Sequence, residues 1–140
     1  MRKLILSDAK ELAKIRRKSF HDFWSEKEFI SMLSDETFFG FKDDHGFILC
    51  RKIFETIDIV TFCVDPQYRS QGTGKKLLSE LIKFSKCNGA EIFLEVAEKN
   101  FIAIKLYESF GFEKISERKN YYNFPDGLQN AIVMKFTKHL

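Results

Sequence analysis

No stretch of this chain approaches the roughly 18 consecutive apolar residues that a membrane-spanning helix requires. The opening Met1-Arg2-Lys3-Leu4-Ile5-Leu6-Ser7-Asp8 also has too short an apolar run for a secretory signal, so a cytoplasmic protein without a membrane partner is expected. Cysteine is scarce. Cys50, Cys63 and Cys87 are odd in number and widely separated, which predicts buried free thiols in a reducing compartment, not a disulfide framework. His21, His45 and His139 lie far apart without a ligand neighbour, so no metal site is expected. The net charge of +3 is small and Lys alternates with Glu, which leaves no basic stripe for direct nucleic-acid binding. Repeats, linkers and low-complexity tracts are lacking too.

What is present is a chain of 140 residues, 44% of them hydrophobic and 16 of them phenylalanine. That is enough for one core, and residues 1–140 read as a single domain. Residues 1–6 read as a first strand. Ser7 or Asp8 can cap a helix whose apolar face is Ala9, Leu12, Ile15 and Phe20. Ser25-x-x-Glu28 is a capping box for a short helix through Leu33. Residues 38–42 and 47–53 read as strands around the turn cluster Asp43-Asp44-His45-Gly46, and residues 56–64 as a long central strand. A helix with Leu77, Leu78, Leu81, Ile82 and Ser85 at helical spacing ends at Asn88-Gly89. A strand over 92–96, a helix from the cap Asn100 to Phe110, and strands over 112–118 and 130–136 complete the chain. The pattern is mixed α/β, with a βαβ unit at residues 56–96.

The most informative segment is Val64-Asp65-Pro66-Gln67-Tyr68-Arg69-Ser70-Gln71-Gly72-Thr73-Gly74-Lys75. A β-branched strand stops at a proline turn, and a glycine-containing loop then opens an amphipathic helix. Glycines at spacing two let backbone N–H groups converge where a helix presents its unpaired amides and positive dipole end. That combination suits a phosphate or pyrophosphate. A P-loop is excluded, because Arg69 stands where its first glycine belongs and Lys76 where its magnesium-binding hydroxyl belongs. The dinucleotide fingerprint is excluded because Leu77 stands at its third glycine.

Arg69-x-x-Gly72-x-Gly74 instead resembles the cofactor loop of the GNAT superfamily of acetyl-CoA-dependent N-acetyltransferases. From residue 20 to residue 136 the chain is similar to one of its families, the ribosomal-protein alanine N-acetyltransferases. The segments that carry this, in the family's order, are Phe23-Trp24-Ser25-Glu26-Lys27-Glu28-Phe29, the loop itself, Phe93-Leu94-Glu95-Val96 with Asn100, Leu106-Tyr107-Glu108 with Gly111-Phe112, Arg118-Lys119-Asn120-Tyr121-Tyr122, and Ala131-Ile132-Val133-Met134. Departures are Glu55-Thr56-Ile57 where the family often has Asp-Glu-Ala, and Cys63 in place of an alanine. The resemblance implies a twisted mixed sheet of about seven strands with helices on both faces. It also implies acetyl transfer, in a ternary complex, from acetyl-CoA to the α-amine of an alanine-starting protein. The partner it implies is a small-subunit ribosomal protein; the chain itself is expected to be a monomer.

Gly72 and Gly74 would grip the pyrophosphate, with the amides of Ser70, Gln71, Thr73 and Lys75 facing it. Arg69 and Lys75 are either phosphate partners or a solvated pair on a helix turn. By resemblance, the main chain of Phe62, Cys63 and Val64 pairs with the pantetheine arm, and the Val64 N–H polarises the acetyl carbonyl. Glu95 lies in an apolar strand, where a carboxylate needs a task or a partner. Desolvation there would make it a stronger general base; a solvent-facing or ion-paired glutamate is the other reading. Tyr107 follows Asn100 by two helical turns. It is either core or, as the resemblance implies, the acid that returns a proton to the leaving thiolate. Asn100 would cap its helix and touch the cofactor. Tyr121 and Tyr122, and with them Trp24, either line an acceptor groove or pack in the fold. Two other functions fit the same residues. One is transfer to a lysine side chain or small amine. The other is a module that holds acyl-CoA without turnover, against which the presence of both Glu95 and Tyr107 argues.

Overall fold

The computed structural model describes residues 1–137; the expectation for His139 falls outside them. The chain forms two compact units, Met1–Ala90 and Glu91–Leu140. Its strands follow the order β1-β2-β3-β4-β5-β7-β6 in a seven-stranded sheet, the mixed α/β class with flanking helices that the sequence predicts.

The first unit contains β1 (Arg2–Lys3), α1 (Ala9–Ser19), α2 (Glu26–Ser34), β2 (Phe38–Lys42), β3 (Gly46–Ile53), β4 (Thr56–Val64) and α3 (Thr73–Asn88). β1 to β4 form an antiparallel meander. The β2–β3 turn is set by Asp43, whose Oδ1 accepts from the N–H groups of His45 at 2.8 Å and Gly46 at 3.0 Å. Gly46 has to be glycine: a Cβ there would lie 2.9 Å from the Cys63 carbonyl oxygen. Cross-strand pairing puts Phe47, Leu49 and Cys63 on one face, where they bury Ala9, Leu12, Ala13 and Ile15 of α1 and Phe29 of α2. On the other face Phe84 of α3 stacks on Phe39 with ring centroids 4.4 Å apart. Alternation along β2 and β3 therefore builds two apolar faces, and each is covered by helix.

The expected first strand shrinks to Arg2–Lys3. Leu6–Asp8 forms a 3₁₀ turn instead, because the Asp8 carboxylate accepts from the Ile5 N–H at 2.8 Å and from both Arg2 Nη atoms at 2.9 and 2.6 Å. Asp8 precedes α1 but makes no side-chain cap. Phe20 is not part of the buried face. The helix ends at Ser19, Phe20 is extended and 38% exposed, and the Arg16 guanidinium lies 4.5 Å over its ring. Ser25 caps α2 as expected, in a reciprocal capping box with Glu28. Cys50 and Cys63 are buried, whereas Cys87, near the end of α3, is exposed; the expectation of three buried thiols holds for two.

The second unit contains β5 (Glu91–Ala97), α4 (Phe101–Phe110), β6 (Phe112–Phe124) and β7 (Gly127–Phe136). β7 pairs antiparallel with both β5 and β6. Asn100 caps α4 by accepting from the Ala103 N–H at 3.3 Å, and Gly111 closes it in the left-handed region at φ 105°. Both strands of the β6–β7 hairpin exceed their expected lengths. A tight turn at Pro125 and Asp126 lets Phe124 pair with Gly127, and two irregularities, at Lys114/Ser116 and Arg118/Tyr122, absorb the residues that break alternation. Among the described residues no helix is long and apolar enough to cross a membrane.

Candidate active site

β4 delivers the chain to the loop. The Asp65 N–H donates to the His45 carbonyl at 2.7 Å, which fixes the phase of the β3–β4 ladder. Bonded and non-bonded pairs alternate in such a ladder. With Phe47 opposite Cys63 and Gly46 opposite Val64, the main-chain groups of Cys63 face β3. Those of Phe62 and Val64 point to the other edge of β4. The Cys63 side chain packs in the α1 core, and burial pushes its thiol up to about 12, against the opposing pull of Arg16 and Arg69. It is a packing residue with no thiolate to offer near neutral pH.

Asp65 then organises the turn. Its Oδ1 accepts from the Gln67 N–H at 3.1 Å and its Oδ2 from Lys18 Nζ at 2.9 Å, and the Lys18 hydrogen bond holds the carboxyl below its ordinary range. The Tyr68 ring stacks on His45 at 3.5 Å between centroids. Ser70 at φ 67° and Gly72 at φ 86° both lie in the left-handed region, the conformation that turns successive N–H groups inward. Gly72 is the N-cap of α3, and its carbonyl accepts from the Lys76 N–H at 3.0 Å. The amides of Thr73, Gly74 and Lys75 therefore belong to the first turn, where the helix supplies no acceptor. Arg69 is placed differently from a free phosphate partner. Its Nε donates to the Val64 carbonyl at 3.4 Å and its Nη2 to Ser19 Oγ at 3.3 Å. Lys75, like Ser70 and Gln71, is exposed. The donor set of this loop is main-chain N–H with adjacent cationic charge, which fits a diphosphate.

Trp24 follows α1 in the same unit. The Arg16 guanidinium lies 3.7 Å over its ring, and its Nε1 donates to Asp22 Oδ2 at 3.2 Å. Arg16 itself is buried and donates to Thr61 Oγ1 at 3.2 Å, to the Asp22 carbonyl at 3.1 Å and to Asp22 Oδ1 at 3.2 Å. Burial pushes the Asp22 carboxyl up, but Arg16 outweighs it and leaves it below its ordinary range. Helical spacing from Leu12 places Arg16 on the buried face of α1. A cation at an inward position of α1 is the one signal the sequence carries for it.

In the second unit Glu95 pairs across β5–β7 with Val133. Its side chain is 28% exposed, and its Oε1 lies 3.1 Å from Arg118 Nη2. Of the two readings of Glu95, the structure shows the partly solvent-facing, ion-paired one, with Arg118 as its partner. Tyr107 is 7% exposed, and its ring centroid is 5.6 Å from that of Phe112. It lies seven residues beyond Asn100 on α4. Tyr121 is 51% exposed and meets Tyr122 edge-on at 5.2 Å. Of the acids that could attract a basic acceptor, Asp65, Glu91 and Glu95 are each ion-paired, with Lys18, Lys135 and Arg118. Among the described residues no group of His, Cys, Asp and Glu is placed to hold a metal ion.

Comparison with known proteins supplies the chemical context. The profile of the acetyltransferase (GNAT) family matches residues 9–112. The ribosomal protein bS18-alanine N-acetyltransferase of Haemophilus ducreyi is 42% identical over 91 residues, 64% of this chain and 63% of that protein. Its counterpart in Escherichia coli K12 is 38% identical over 117 residues, 79% of this chain and 78% of that protein. The crystal structure of the Escherichia coli ribosomal-protein-S18-alanine N-acetyltransferase superposes with a TM-score of 0.89 at 31% identity, covering 99% of this chain and 94% of that one.

Proposed function

The chain belongs to the acetyltransferase (GNAT) family and is an acetyl-CoA-dependent acyltransferase, and from that premise we propose that it acetylates the α-amine of an alanine-starting ribosomal protein. In this reading residues 1–140 act as one monomeric domain in the cytoplasm. Acetyl-CoA supplies an activated thioester. The N–H groups around Ser70 and Gly72 and in the first turn of α3 hold its diphosphate, a role their left-handed geometry supports. The side of β4 at Phe62 and Val64 that faces away from β3 orients the pantetheine amides, and the Val64 N–H donates to the carbonyl oxygen that gains charge during attack. Glu95 Oε accepts a proton from the amine, and the Tyr107 hydroxyl gives one up to the departing sulfur. Asn100 holds the start of α4 and touches the cofactor; Tyr121, Tyr122 and Trp24 border the acceptor.

The observation that carries this reading is the left-handed turn at Ser70 and Gly72 that opens α3; Glu95, 28% exposed and paired with Arg118, is the carboxylate assigned to the arriving amine. An α-amine ionises at about 7.7–8.0 and is partly neutral at physiological pH, whereas a lysine at about 10.4 is not. A single accessible carboxylate suits the first. The test follows thiol release from acetyl-CoA with an alanine-starting peptide, a lysine peptide and a polyamine, with Glu95→Gln alongside. Turnover of the α-amine peptide, strongly reduced in Glu95→Gln, is expected. Preferred turnover of the polyamine or lysine would replace the acceptor, and a fully active Glu95→Gln would remove the base.

A further inference from the structure

The arginine beside Glu95 has no task in the mechanism above. Arg118 lies on β6 opposite Ala131 of β7, and Ala131 lies opposite Ala97 of β5. Cross-strand partners share a face, so Arg118 stands on the same open face as Glu95, one row along. Its side chain is 57% exposed, and its Nη2 lies 3.1 Å from Glu95 Oε1. Its guanidinium carbon lies 5.3 Å from the Tyr121 ring centroid.

The backbone is shaped for this placement. Pairing of β6 is interrupted between Arg118 and Tyr122, where Asn120 takes φ 53°. Asn130 Oδ1 accepts from the Asn120 N–H at 2.8 Å, while its Nδ2 donates to Glu117 Oε1 at 2.8 Å. Bulges of this kind re-aim side chains, and here the bulge follows directly on Arg118. A half-exposed ion pair contributes little to stability, so the arrangement calls for a functional account.

An acceptor reaches Glu95 as an ammonium and must compete with the guanidinium for the carboxylate. Displacing Arg118 costs its ion pair unless its donors find another oxygen. A peptide α-amine carries a carbonyl oxygen on the adjacent carbon unit; a lysine side chain or alkyl amine carries methylenes there. We propose that Arg118 is a specificity-determining residue that releases Glu95 to the acceptor ammonium and donates to the main-chain carbonyl of the acceptor's first residue. Peptide α-amines are thereby compensated and side-chain amines are not. The inference rests on Glu95 being the group that meets the amine.

Arg118→Ala and Arg118→Lys are compared with wild type on an alanine-starting peptide and on an α-N-blocked peptide whose one amine is a lysine side chain. For Arg118→Ala, kcat/KM on the alanine peptide falls about tenfold or more, mainly through KM. On the lysine peptide it holds or rises, so the preference shrinks. Arg118→Lys recovers part of the KM, because an ammonium donates without the planar fork. A parallel loss of kcat on both acceptors would mark Arg118 as merely structural and overturn the proposal, as would an unchanged preference in Arg118→Ala. Wild-type protein that prefers α-amines and keeps that preference without Arg118 refutes this inference alone. Wild-type protein that turns over neither peptide refutes the peptide-acceptor reading beneath it, and this inference with it.

Discussion

At the scale of single residues, burial separates side chains that can react from those that can only pack. The Cys63 thiol, pushed up to about 12 by burial, is inert, and its place on β4 matters through main-chain direction alone. Tyr107 is as deeply buried but is a phenol, and a general acid acts from its neutral, protonated form. Replacing it by phenylalanine keeps the ring contact with Phe112 and removes the hydroxyl. We expect Tyr107→Phe to slow the chemical step about a hundredfold, within the usual span of general acid catalysis. Its affinity for coenzyme A, measured by calorimetry, should stay close to that of wild type. Loss of binding with a normal chemical step would make the hydroxyl structural instead.

At the scale of elements, the loop between β4 and α3 depends on backbone conformation more than on space. A Cβ at Gly72 would meet nothing within 4 Å, so only its φ of 86° calls for glycine. The left-handed region costs other L-residues about 1–2 kcal/mol. Gly72→Ala should therefore weaken coenzyme A binding about tenfold, and Gly72→Asn should weaken it less, since asparagine tolerates that region. Equal affinity for all three in a calorimetric titration would show that the N–H cradle is not what holds the diphosphate. Signals of this local kind were legible in the sequence. Turn clusters bound β2 and β4 at their observed ends, and the Ser25 box, the Asn100 cap and the glycines at 89 and 111 mark helix ends through their own chemistry. What stayed illegible depends on partners distant in sequence. β1 is cut short because Arg2 and the Ile5 N–H claim Asp8. Phe20 is exposed because α1 stops one residue earlier. Arg118 reaches Glu95 across a register containing two irregularities, which no periodicity encodes.

At the scale of the whole molecule, the near balance of charge, 23 basic against 20 acidic residues, is accompanied by pairing of several acids with bases. Lys18, Arg118 and Lys135 neutralise three of the four acids, Glu98 being the fourth, that could draw in a basic acceptor, which gives weight to short-range contacts of the kind argued for Arg118. The same pairing sets the response to acid. The Arg2 hydrogen bond holds the Asp8 carboxyl below its ordinary range, the Lys18 hydrogen bond does so for Asp65, and Arg16 does so for Asp22 against the upward push of burial. A carboxyl lowered in the folded state contributes stability that is present above its unfolded value of about 3.9 and lost as pH falls through the folded value. Asp58 opposes them: burial pushes it up, so acid relieves its cost. Hydrogen bonds hold Asp35 and Glu117 low as well, so five lowered groups stand against one raised group, and the melting temperature should decline steeply once pH drops below about 4. Asp8 is the most informative to remove, being 5% exposed and held by both Arg2 nitrogens. Asp8→Asn should melt lower than wild type at pH 7 and lose less on going to pH 2, because its share of the proton-linked stability is already gone. Parallel pH profiles for the two proteins would show that the Arg2–Asp8 pair plays no part in the acid transition.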